Sequence, residues 1–183
     1  MKKLMLACLL LSACGIQPFV PDTARLAPGQ LGTGFDPDVT AMNIAQYSFA
    51  DAGRLYGRPA EAARAAASMD YVAGEFYTSP RWANISALTK EQLLQGRAEM
   101  RAALGIAPTV SSQAVVDHLT AVSAALLSND IPAATAQLGA PVFTAPPAET
   151  LARLGSLPYL HLANVSTMRA ANEMFNPDDN IRR

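Results

Sequence analysis

The only two histidines, His118 and His161, are the first place to look for chemistry, because Asp117 directly precedes one of them. A carboxylate beside an imidazole could orient a general base. Consecutive helical residues point about 100° apart, however, so Asp117 and His118 do not form the Asp–His contact of a catalytic triad with each other. No HExxH pattern and no cysteine-rich spacing accompanies either histidine, so a metal site is not expected. Ser111, Ser112 and Ser123 lie in neither a GxSxG elbow nor an SxxK pair. Asp70 and Glu75 could in principle pair for sugar hydrolysis, yet five residues apart on one helix they address different faces.

The densest cluster of interaction-prone side chains is Tyr71, Phe76, Tyr77 and Trp82, four of the twelve aromatics, beside Pro80 and Arg81. Aromatics with a polar handle suit grooves for peptides or glycans, and they equally suit closing a core at a helix end. Closing the core is the first reading, and Tyr77, Trp82, Tyr71 and Arg81 are the alternative, a binding surface, with Tyr77 and Trp82 expected to be the most exposed because they lie at the end of the helix. Asn84-Ile85-Ser86 and Asn164-Val165-Ser166 match a glycosylation acceptor that a bacterium would not ordinarily use.

The other reactive group is the thiol of Cys14. The opening MKKLMLACLLLSACG combines two lysines, an apolar run from Leu4 to Leu11 and then small residues, the tripartite build of a secretory signal peptide. A membrane span needs about 20 apolar residues, and this run is too short. Leu11-Ser12-Ala13-Cys14 resembles the lipobox of bacterial lipoproteins. The resemblance covers these four positions and the run before them. It implies diacylglycerol on the Cys14 sulfur, cleavage after Ala13, and acylation of the new amino group. Each buried CH₂ contributes about 0.8 kcal/mol, so two or three long acyl chains amount to essentially permanent anchoring. Gly15, where an aspartate commonly marks inner-membrane retention, implies passage to the outer membrane, facing the periplasm, in a Gram-negative organism.

Residues 1–13 thus read as a signal peptide. Its removal shifts the formal net charge from −1 to roughly −3, because Lys2 and Lys3 are lost. Lys90 is then the last lysine, and the arginines are interspersed with acids. No basic stripe is available to neutralise phosphates, which argues against nucleic acid as a partner. Both cysteines, Cys8 and Cys14, fall in the first fifteen residues, so no disulfide is expected within the mature domain. With 50% hydrophobic and 16% charged residues, the body has enough apolar content to form one globular domain.

From Cys14 to Phe35, prolines and glycines punctuate a stretch without helical or strand period, read as a flexible tether over residues 14–35. It could reach roughly 65 Å when extended and would average near 25 Å when relaxed. Its spacing Gly29, Gly32, Gly34 is not that of a phosphate-cradling loop. From Asp36 the pattern becomes helical, with Pro37, Pro59, Pro132, Pro147 and Pro158 at expected helix starts. The expected helices run from about Pro37 to Leu55, Pro59 to Tyr77, Lys90 to Leu104 with a Thr89/Gln92 capping box, and Ser111 to Ser128. Short ones follow near residues 132–138 and 147–154, and the last spans about Pro158 to Phe175. The Ser111–Ser128 segment, with Val115, Leu119, Val122 and Leu126 on one stripe, is the clearest core helix. About a fifth of the residues are alanine, and the best strand candidate, Val142-Phe143-Thr144, is too short to matter.

The expected fold is all-α, a helical bundle or stacked helical hairpins over residues 36–175, with a polar tail at 176–183. The expected role is that of a membrane-anchored envelope lipoprotein, a non-enzymatic binding or structural accessory of another envelope protein, without cofactor. Two alternatives are an envelope hydrolase whose site is assembled from distant residues and a small-ligand carrier with an enclosed apolar cavity above about 300 Å³.

Overall fold

The computed structural model describes residues 21–176, and the expected signal peptide, Ala13 and Cys14 lie outside the described residues. The chain is all-α, with seven helices in this span: α1 (Pro37–Phe49), α2 (Pro59–Thr78), α3 (Ala87–Leu104), α4 (Ser112–Leu127), α5 (Ile131–Ala136), α6 (Pro147–Gly155) and α7 (His161–Phe175). Among the described residues the only β-type pairing recorded is an isolated bridge between Ile106 and Phe143. None of these helices is long and apolar enough to cross a membrane.

Local chemistry accounts for the helix ends. Pro37, Pro59 and Pro147 open their helices, where a missing N–H leaves no vacancy in the ladder. Asp36, Ser111 and Asp130 cap α1, α4 and α5 through their side-chain oxygens. Gly105 stops α3 in the left-handed conformation, with φ of 71°.

Three boundaries differ from expectation. Helix α1 ends at Phe49 rather than Leu55, because the Asp51 side chain accepts from Gly53 N at 2.8 Å and starts a separate 3-10 turn over Ala52–Arg54. Helix α3 begins at Ala87, since Ser86 takes the cap by accepting from Thr89 N, while the Thr89 hydroxyl donates to Glu173 at 2.7 Å. Helix α7 begins at His161 and not at Pro158. Its start is capped from another helix, where Glu99 Oε2 accepts from Ala163 N at 2.9 Å.

Helices α1, α2, α3 and α7 form a closed ring of neighbours, and α4 packs along the outside of α2. The ring is antiparallel. Asp38 near the start of α1 meets Tyr71 and Trp82 toward the end of α2. Along α2 and α3, Tyr77 pairs with Glu91 and Asp70 with Arg101. Along α3 and α7, Ser86 pairs with Glu173, Gln92 with Arg169 and Glu99 with Ala163. One end of the bundle therefore carries the starts of α1 and α3 and the finishes of α2 and α7.

Helix α2 is enclosed on nearly all sides: Ala62, Ala63, Ala65, Ala66 and Ala67 are all fully buried, beside Met69, Val72 and Phe76. Its small side chains allow close neighbours on several faces, so its apolar surface is wider than one stripe. The crossing of α3 and α7 is equally tight. A Cβ at Gly96 would lie 2.9 Å from the Ala163 Cα and 2.7 Å from the Ser166 hydroxyl.

The Pro/Gly-rich stretch expected to be tether is in fact laid on the bundle from residue 21 onward. Ala24 and Leu31 are buried, and the Asp22 carbonyl accepts from Arg97 at 2.8 Å and from Ser112 Oγ at 3.2 Å. The carbonyl of Asp22 also fills the space that a Cβ on Gly74 would need, at 2.7 Å. Gln30 then staples the loop by donating to Asp117 and Thr120 and accepting from Ala27 N. The packed domain thus starts near residue 22 instead of 36.

Candidate functional site

The aromatic cluster assembles around Asp38, a residue with no motif in the sequence to mark it. Asp38, in the first turn of α1, is buried with 4% of its surface exposed. Tyr71 donates its hydroxyl to Asp38 Oδ1 at 2.5 Å, while the Trp82 indole N–H and Arg81 Nη1 donate to Oδ2 at 3.0 and 2.9 Å. Arg81 also grips Asp36 through both terminal guanidinium nitrogens, Nη1 and Nη2, and lies over the Trp82 ring at 4.6 Å. Phe76 stacks on the other partner of this set, its centroid 4.8 Å from that of Trp82.

The electrostatics follow from these contacts. Burial, and after it the bond to Asp38, pushes the Tyr71 phenol far above its ordinary pKa. The Arg81 hydrogen bond holds the Asp36 carboxyl below the usual aspartate value, and Asp36 in turn raises Arg81. Tyr77 is raised chiefly by its hydrogen bond to Glu91, which it makes at 2.9 Å.

Of the four expected surface residues, Tyr71 and Trp82 are buried, with their polar atoms turned inward to Asp38. Trp82 thus closes the core, and the exposure expected for it at the helix end is not found. Its ring closes the core because the 3-10 turn Pro80–Trp82 folds back under α1, and an indole N–H buried there needs an acceptor. Arg81 remains exposed and Tyr77 half-buried. A carboxylate with both oxygens engaged by three donors is suited to fixing the α1 start against the α2 end, and not to taking a proton from a substrate.

A second polar cluster lies at the same level on another face of α2, where Asp70 immediately precedes Tyr71. Asp70 has no exposed surface and receives both arms of Arg101, at 2.6 and 2.7 Å. Arg101 also donates to Ser112 Oγ and to the Val110 carbonyl. Arg97 donates to Ser112 Oγ at 3.0 Å, and the Asp22 carboxylate accepts from Ser112 N. Burial depresses the Arg97 guanidinium pKa. Asp70 and Glu75 do not meet as a carboxylate pair, since Asp70 is committed to Arg101.

The remaining candidates stay apart. His118 sits 2.9 Å from the Gln137 carbonyl through Nδ1, which therefore carries the proton, and Asp117 is engaged by Gln30 and Gln113. His161 tilts against Tyr159. Ser111 caps α4, and Ser112 and Ser123 are buried. Asn164 is also buried, accepting from the Tyr159 hydroxyl at 3.1 Å. The loop 26–35 frames an open cleft of about 180 Å³ against Pro37 and Thr40, which is a surface feature and not an enclosed chamber between helices. Neither family models, curated protein sequences nor solved structures give a match to this chain.

A feature absent from the sequence reading is the tyrosine end of the bundle. Tyr47 lies at the close of α1, Tyr56 just before α2, and Tyr159 just before α7, and all three are more than half exposed. Arg54 stacks on Tyr47 at 4.2 Å and donates to its carbonyl. Tyr159 borders a narrow crevice with Ser48, Phe49 and Leu55, between the end of α1 and the approach to α7.

Proposed function

We propose that this chain is an envelope lipoprotein, anchored by lipid on Cys14, whose helical domain works by binding another envelope protein. The anchor rests on the leader and on Leu11-Ser12-Ala13-Cys14. The binding role rests on one structural observation: three tyrosines, Tyr47, Tyr56 and Tyr159, share one end of the bundle with their rings in solvent. Tyrosine offers broad apolar area and a hydrogen-bonding tip at low entropic loss, a combination enriched in protein interfaces. The same reading moves the docking surface away from Tyr71 and Trp82 to the opposite end of α2.

The test is crosslinking in intact cells with a photoreactive residue at position 56, and at position 77 as the comparison. An envelope protein captured from position 56, and lost when Tyr47 and Tyr159 are changed to Ala, supports the proposal. Failure to capture any protein, together with turnover or retention of an envelope molecule by the purified domain, favours the hydrolase or carrier alternative. Cys14→Ala should release the protein from membranes; unchanged acylation would remove the anchor assignment.

A further inference from the structure

The end of the bundle opposite the tyrosines has a different character. Phe35 stands fully in solvent immediately before α1, Leu88 is 60% exposed in the first turn of α3, and Phe175 is 49% exposed at the close of α7. These three belong to one end because Asp36 is held by Arg81 just beyond α2, and Ser86 by Glu173. Single exposed apolar side chains are common on any protein, and Leu127, Ile131 and Met168 are further examples here. What distinguishes this end is that the chain also enters the domain beside it. Pro21 is buried, and Asp22 packs on Gly74, one turn before α2 finishes at Thr78.

The length of chain ahead of that point then limits where the end can go. No more than about 25 Å of polypeptide separates Cys14 from Pro21, far less than the reach of a tether extending to residue 35. The loop leading to Phe35 turns at Ala27-Pro28-Gly29 yet is firmly held: Gln30 N donates to the Ala27 carbonyl, Gly32 N to the Gly29 carbonyl, and the Gln30 side chain binds α4. From Thr23 to Phe35 it contains no acid and one base, Arg25. The acids flanking the three side chains, Asp36, Glu91 and Glu173, are engaged by Arg81, by Tyr77 and by Ser86 with Thr89, so an acid-free loop with one arginine close to an acyl anchor suits the water–lipid boundary, where aromatic and aliphatic side chains enter and an arginine can reach phosphate groups.

We infer that Phe35, Leu88 and Phe175 form a lipid-contacting foot, seating the bundle end-on against the bilayer that holds Cys14. This inference rests on the anchoring proposed above. It would place the tyrosine end away from the membrane: Pro59 and Gly74 are separated by about 22 Å of helix, and Tyr56 precedes the first of them.

The full-length lipidated protein can be tested in vesicles of phosphatidylethanolamine and phosphatidylglycerol in which part of the lipid carries brominated acyl chains. Phe35→Trp and Tyr56→Trp each add an indole to the buried Trp82 background. The expected result is that the emission added at position 35 shifts to the blue and is largely lost to bromine quenching, while that added at 56 does neither. Changing Leu88 and Phe175 to Ser should weaken the quenching at 35. An unquenched position 35 on protein that is acylated at Cys14 and floats with vesicles would overturn the foot while leaving the anchor in place; so would equal quenching at 35 and 56, or a protein crosslinked over position 35. Protein lacking acyl groups and failing to float would instead defeat the anchoring reading, and the foot with it.

Discussion

Asp38 and Asp70 are both buried carboxylates that tie α2 to a neighbouring helix, but they are held in contrasting ways. Asp38 shares its charge among a phenol, an indole and an arginine whose side chain is 49% exposed. Asp70 relies on Arg101, itself only 14% exposed, and has no water-facing surface. Losing one donor at Asp38 leaves two others and a route to solvent. Losing Arg101 leaves a charge stranded inside the bundle. The comparison shows that the spread of donors, more than depth alone, decides how much a buried acid depends on any one partner.

The largest predicted effect comes from breaking the less forgiving site. Arg101→Met should destabilise the domain by about 3–5 kcal/mol, because Asp70 is left unpaired; Asp70→Leu in the same chain should recover much of that loss. Urea unfolding followed by Trp82 fluorescence checks both. An equal loss from Arg81→Gln would break the contrast between the two carboxylates.

At the other site, Trp82→Phe keeps most of the stacking on Phe76 but removes one donor to Asp38. The expected loss is about 1.5–3 kcal/mol, read by circular dichroism because Trp82 is the only tryptophan. Gly74→Ala probes the connection of the Asp70 region to the N-terminal stretch. Its Cβ meets the Asp22 carbonyl and must push residues 22–23 outward, for a loss of about 1–3 kcal/mol and faster amide exchange around residue 24.

The smallest effect belongs to Arg81→Gln, about 0.2–1 kcal/mol, since the guanidinium is half exposed. Its pH dependence carries a sign. The folded-state pKa of Asp36 is lowered by Arg81, so the stabilisation is present above the ordinary aspartate value and disappears as pH falls through the lower folded value. The stability difference between wild type and Arg81→Gln should therefore be steady from neutral pH to about pH 5 and shrink below about pH 4. A difference that grew on acidification would contradict the Asp36–Arg81 pairing.

Much of the helical architecture is legible in the residues because proline starts, side-chain caps and apolar spacing are local signals. Pro37, Pro59 and Pro147 mark true helix openings, and the Ser111–Ser128 stripe corresponds to α4 within a residue at each end. Ser86 and Thr89 both resemble caps three residues apart, and only the reach of Glu173 from α7 shows how each hydroxyl is used. The fate of Trp82 depends on Asp38, separated from it by 44 positions, and no local pattern encodes that meeting. Residues 22–31 lack a period because their hold on the bundle comes from individual side chains and carbonyls such as Gln30 and Asp22. The tyrosine end is hidden for a similar reason: Tyr47, Tyr56 and Tyr159 are scattered in sequence and come to one end only through the antiparallel ring.

Helices α3 and α7 finish each other: Glu173 binds the start of α3, and Glu99 binds the start of α7. Neither first turn has its full set of acceptors until the other helix is docked. Because α7 follows α1, α2 and α3 in sequence, the ring of these four helices closes only once α7 itself has been made. Until that docking the starts of α3 and α7 each lack an acceptor, so one packing event completes both helix ends.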